Sequence, residues 1–151
     1  MKWLRSVTSE VMTRAPLWVA ALWWASLSTV GFLVVPLLFT HLPTPALAGS
    51  MAARLFSAQT GVSTFCGLFL LLQSRSARSP TFDSGARSVV FFVLSGLLLA
   101  LLAEFAVAPK IVARENLRLW HSVGSVMYLL QWGCAAAAFW RLTPPGRMDQ
   151  V

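Results

Sequence analysis

The side chains able to do chemistry in this chain are few, and they gather near one end of long apolar runs. Glu104 and Arg54 are the only formal charges inside those runs, each about one helical turn from the same end. An acid and a base at one depth can pair, as can Glu104 with Arg118, and with Tyr128 they would line a polar vestibule. The alternatives are a pair that only fixes helix register and an Arg54 that reaches to lipid headgroups. His41 and His121, the only histidines, fall on the same side. Neutral imidazole binds copper, iron or zinc, which makes His121 and His41 the candidate ligands for a metal or haem. His121 opens a helical face shared with Ser125 and Tyr128, and Gln59 and Gln131 add polar groups deeper down. The plain reading competes with this: His121 as an interfacial histidine bonded to a neighbouring helix, His41 as an exposed loop residue. No methionine stripe, Walker loop, GxSxG, HExxH, CxxC or CxxCH motif is present. Catalytic residues are therefore expected to be none, and an enzyme is not expected. Cys66 and Cys134 lie inside apolar runs and read as small buried groups.

The elements that must hold these residues are four apolar runs, about 17–39, 50–72, 88–108 and 119–140. About 20 helical residues at ~1.5 Å each cross a bilayer, so each run is long enough. The chain is 57% hydrophobic and 11% charged, with mean hydropathy +0.69. Soluble domains carry about 25% charged residues, so this excess cannot hide in one small aqueous core. The expected fold is all-α: an integral membrane four-helix bundle over 16–141, preceded by an interfacial arm (1–15) and followed by a tail (142–151). Trp3, Leu4, Val7 and Val11 recur near helical spacing in that arm, beside Lys2 and Arg5.

Helices in lipid pack through small residues. The second run offers Ala53, Ser57 and Gly61, the third Gly96, Ala100 and then Glu104, the fourth Gly133 and Ala137. Because Glu104 continues a small-residue seam, it is expected to face the bundle. Pro36 should bend the last turn of run one, Pro109 should end run three, and Pro43 and Pro45 should end the first helix. Phe32-Leu33-Val34-Val35-Pro36 and Phe105-Ala106-Val107-Ala108-Pro109 both read F-x-V-x-P, and Arg54-Leu55-Phe56 echoes Arg118-Leu119-Trp120. The echo points to two repeated helical hairpins related by an axis along the membrane normal; chance similarity of apolar strings is the alternative.

The net charge of +7 is placed by topology rather than by nucleic acid. Lys2, Arg5, Arg14, Arg75, Arg78, Arg87, Arg141 and Arg147 fall on one side, against Arg54, Lys110, Arg114 and Arg118 on the other. Both termini are thus expected in the cytoplasm, with the opposite orientation kept as the alternative by the basic third connection. The arginine bias hints at a GC-rich bacterial genome and hence an inner membrane. Pro45-Ala46-Leu47-Ala48-Gly49 resembles a signal cleavage site, but the preceding run exceeds the 7–15 residues of a signal core.

The segments Gly31–Phe39, Arg54-Leu55-Phe56 and Asn116–Ser125 resemble the transmembrane-protein-205-like family, four-span proteins of largely unknown activity, over about Pro16 to Trp140. That group is distantly similar to copper-resistance-D-like proteins and their haem-binding relatives. The resemblance implies copper or haem handling at the outer face through His121, or, more remotely, a haem-dependent oxidoreductase. This chain departs from it in lacking a second intramembrane histidine and in placing Lys110 in the outer connection. The residues themselves favour a non-enzymatic scaffold or accessory subunit in contact with lipid and with a membrane-protein partner or a second copy.

Overall fold

The structure is a computed structural model that describes residues 2–76 and 84–143, with side chains over 14–75 and 87–143. The side chains of Trp3, Leu4, Val7 and Val11, and the whole of Arg78, Arg147 and the tail beyond 143, lie outside what the structure describes. Among the described residues all regular structure is helical. Four stretches are long and apolar enough to cross a membrane: Arg14–His41, Pro45–Arg75, Arg87–Val112 and Leu117–Leu142. Each is a few residues longer than the apolar run that announces it. This is a multi-pass integral membrane protein.

The first stretch is α1 (Lys2–Thr29), a five-residue π-helical turn (Val30–Val34) and α2 (Val35–His41). α1 starts at Lys2 and passes through Pro16 without a break. α2 ends where Leu42, held extended by the following Pro43, cannot continue it. α3 (Pro45–Ser76) then begins at once: Thr44 Oγ1 accepts the Leu47 N–H at 3.2 Å, and Pro45 takes the first helical position. The third stretch is α4 (Ser84–Leu102), a second π turn (Ala103–Val107) and α5 (Ala108–Val112). A tight connection with left-handed Arg114 and Asn116 leads into α6 (Leu117–Leu142). Lys110 Nζ and Glu115 pair at 2.8 Å across that connection.

Pro109 does not end its helix. The residue before each proline donates its N–H five residues back, Val35 to Val30 and Ala108 to Ala103. The widened turn makes room for the pyrrolidine ring, and the helix restarts with proline at its second position. Both copies of F-x-V-x-P thus make the same device.

The helices form a closed antiparallel ring in which α1 packs on α3 and α6, and α4 packs on α3 and α6. The shift that carries Phe32 onto Phe105 also carries buried Ala20, Trp23 and Leu27 onto buried Val93, Gly96 and Ala100. Trp23, wholly buried, lies directly against Gly96 across the bundle. In α3 and α6 the shift that carries Ser63 onto Gln131 carries Cys66 onto Cys134 and Leu70 onto Ala138, and Gln131 bonds Ser63. Two of these matched pairs, Trp23 with Gly96 and Ser63 with Gln131, meet at the centre, as positions related by a two-fold axis along the bundle would. The Arg54/Arg118 match is about one helical turn out of step with this register.

The core is Ala20, Trp23, Leu27, Cys66, Leu70, Val93, Leu97, Ala135 and Ala138 with their neighbours. Trp24 stacks on Phe139 (centroids 5.9 Å apart) and tilts against Trp132 (6.0 Å), closing the α1–α6 seam. Trp18 and Trp140 stay exposed near one end of the bundle.

Candidate functional site

Two polar groups of residues lie within the spans, and the helical geometry keeps them apart. The inner one is built by α1, α3 and α6. Gln59 (5% exposed) donates from Nε2 to Ser26 Oγ at 3.0 Å, and Ser26 donates in turn to the Trp23 carbonyl. Gln131 (4% exposed) donates to Ser63 Oγ at 3.0 Å. Trp132 Nε1 donates to Ser28 Oγ at 2.9 Å. Each of these hydroxyls and amides is a costly guest in hydrocarbon unless bonded, and each finds its partner on another helix. Tyr128 belongs here rather than to an open vestibule. Its hydroxyl donates to the Leu27 carbonyl at 2.8 Å, its ring meets Phe56 edge-on, and it lies against Gly31, where a Cβ would collide with it.

The outer group is Glu104 and Ser57. Ser57 Oγ donates to Glu104 Oε1 at 2.7 Å. Glu104 sits in the second π turn, half-buried, and Ser57 is exposed on α3. Ser57 and Gln59 are two residues apart, a rotation of about 200° around the helix. One therefore points out of the bundle while the other points in. The seam that Glu104 continues does face inward at Gly96 and Ala100. The π turn then changes the register, and the Glu104 carboxylate meets the outward face of α3.

Glu104 pairs with neither Arg54 nor Arg118. Among the described residues the ion pair formed is Lys110–Glu115, and both arginines are exposed. The serine one turn below Arg54 is nearer the carboxylate. His41 is exposed at the end of α2, where its Nδ1 lies 2.8 Å from Thr40 Oγ1 and 3.0 Å from the Leu37 carbonyl oxygen. His121 is exposed on the first turns of α6. Among the described residues no three His, Cys, Asp or Glu side chains come together as a metal site.

The expected packing residues divide the same way. Gly96 is a true contact: a Cβ there would lie 2.8 Å from Trp23 Cη2. Ala53, Ser57 and Gly61 face outward, and a Cβ on Gly61 or on Gly133 would meet nothing. Gly67 is the close approach that spacing alone missed, since it receives Leu97. Ser26, Ser28 and Ser63 were missed as well. A single serine in an apolar helix carries no signal until its partner on another helix is known.

No curated protein and no solved structure matches the chain. A family model described as "Domain of unknown function (DUF4149)" matches residues 18–119, from the start of the first span to the first turn of α6. Two thirds of the chain, including both π turns, the Thr44–Pro45 start and Glu104, thus falls within one family pattern, and the chain belongs to the DUF4149 family.

Proposed function

We propose that this protein is a non-enzymatic membrane scaffold or accessory subunit that acts by contact with another helix inside the bilayer. The observation that carries this reading is the position of Glu104. It is the one acidic residue within the four spans, and it lies at the surface of the bundle with a serine as its bonded neighbour. A charge at the centre of a membrane helix costs roughly 2.5–3.5 kcal/mol on insertion scales, less toward the interface. A partner that brings donors to the carboxylate relieves that cost. Among the described residues the interior amides and hydroxyls are bonded within the bundle, and the buried Nε1 donors of Trp23 and Trp24, which find no acceptor, carry no charge.

The likeness to transmembrane-protein-205-like and copper-resistance-D-like proteins supplies the alternative, copper or haem handling at the outer face through His121. The exposed position of His121, apart from other ligating side chains, supports it less well than the position of Glu104 supports contact. The arginine distribution supports an orientation with both termini on the cytoplasmic side of a bacterial inner membrane.

Extraction in native-lipid particles tests the reading. The expected particle carries more than one polypeptide, with no stoichiometric copper or iron and no Soret band. A particle holding one chain and no companion contradicts it. Bound metal or haem that is lost in His121→Ala transfers the function to the alternative.

A further inference from the structure

We propose that the partner at this surface is a second copy of the chain, held by reciprocal Arg54–Glu104 pairs about a two-fold axis normal to the membrane; the inference rests on the contact reading above. A two-fold interface must be self-complementary, with residue i meeting j and j meeting i. This surface meets that condition by charge. Arg54 is exposed and, among the described residues, has no ion pair. One turn along the same helix, Ser57 holds one oxygen of the Glu104 carboxylate. Each copy thus offers one base and one acid side by side, neutralised not by each other but by what docks there. A different protein would have to bring both signs at matching heights, whereas a second copy does so by construction.

The shape of α3 agrees. Its outward residues beside the charges include Ala53, Ala58 and Gly61, flanked by the larger Met51 and Val62, and a Cβ on Gly61 would meet open space. Deeper along the helix the outward residues become Phe65, Leu68 and Leu72, which lipid chains solvate well. The small residues that permit close backbone approach thus lie at the level of the charges.

The test is a charge exchange between copies, using the full chain in liposomes and counting subunits by two-colour single-molecule photobleaching. The wild type is expected as two copies. Arg54→Glu alone and Glu104→Arg alone each place like charges across the axis and should weaken association at least tenfold. Mixed together, the two variants regain both pairs and should return as two-colour dimers. If Glu104→Arg fails to insert, Glu104→Gln and Gly61→Leu replace it, and each should lower the dimer fraction at unchanged helical content. Wild-type protein that stays single at every protein-to-lipid ratio overturns the inference. So does a mixture no more dimeric than its components, or a dimer indifferent to both Glu104→Gln and Gly61→Leu. Single copies that keep a different protein as companion in native-lipid particles overturn self-association alone. Single copies with no companion overturn the contact reading as well.

Discussion

Gly96→Ala probes the bundle centre most sharply, because the collision it creates can be located atom by atom. The added methyl would lie 2.8 Å from Trp23 Cη2, 3.1 Å from its Cζ2 and 3.3 Å from Cys134 Cβ. Carbon atoms rest at about 3.5–4.0 Å, so the indole, which is wholly buried, must move. Overpacking of this kind costs typically 1–3 kcal/mol. Trp23→Phe removes the outer ring atoms that collide. It also removes Nε1, a buried donor that finds no acceptor among the described residues. Gly96→Ala should therefore cost about 1–3 kcal/mol in the wild type and at least ~1 kcal/mol less in the Trp23→Phe background, a coupling expected of side chains in contact. Unfolding in detergent micelles by added SDS, followed by far-ultraviolet circular dichroism, measures all four corners of the cycle. Neutral Gly96→Ala, or an equal cost in both backgrounds, refutes the contact between α1 and α4 across the centre.

Ser63→Ala and Gln131→Leu should each cost about 0.6 kcal/mol and at most about 1.7, the average and the upper bound for interhelical hydrogen bonds in membranes, and the double variant should cost less than their sum. Additive losses in the same unfolding assay would show that the two side chains do not meet. Thr44→Ala removes the cap of α3 and should cost about 1 kcal/mol, with unchanged stability counting against the Thr44–Leu47 bond. His121→Ala, exposed at the start of α6, should stay within about 0.5 kcal/mol of the wild type; a larger loss, checked in the same titration, would reveal a partner that the bundle does not supply.

The spans were plain in the sequence because hydrocarbon demands long uninterrupted helices, and the starts of the elements were partly written as well. Thr44-Pro45 spells a helix start five residues before the apolar run at Ser50. The repeated F-x-V-x-P string marked two equivalent places, but proline announces only a missing donor. Whether the helix stops there, as expected at Pro109, or widens into a π turn depends on backbone bonds that no residue type encodes. Azimuth was the harder quantity. In a membrane helix both faces are apolar, so periodicity no longer separates inside from outside. Ala53-Ser57-Gly61 and Gly96-Ala100-Glu104 therefore looked alike, yet one stripe lies on the outside of the bundle and the other reaches the core. That Arg54 and Glu104 lie toward the same end of the bundle was legible from their distance to the span ends. That Ser57 stands between them was not, because spacing along one helix says nothing of its rotation against another.

The antiparallel four-crossing arrangement underlies every contact described, and labelling of single cysteines tests it most directly. In a background with Cys66→Ala and Cys134→Ala, Thr40→Cys and Ala113→Cys should react with a membrane-impermeant maleimide from one side of sealed vesicles. Arg75→Cys and Thr143→Cys should react only from the other. Thr40→Cys and Ala113→Cys labelled from opposite sides would contradict the bundle and, with it, the placement of Glu104.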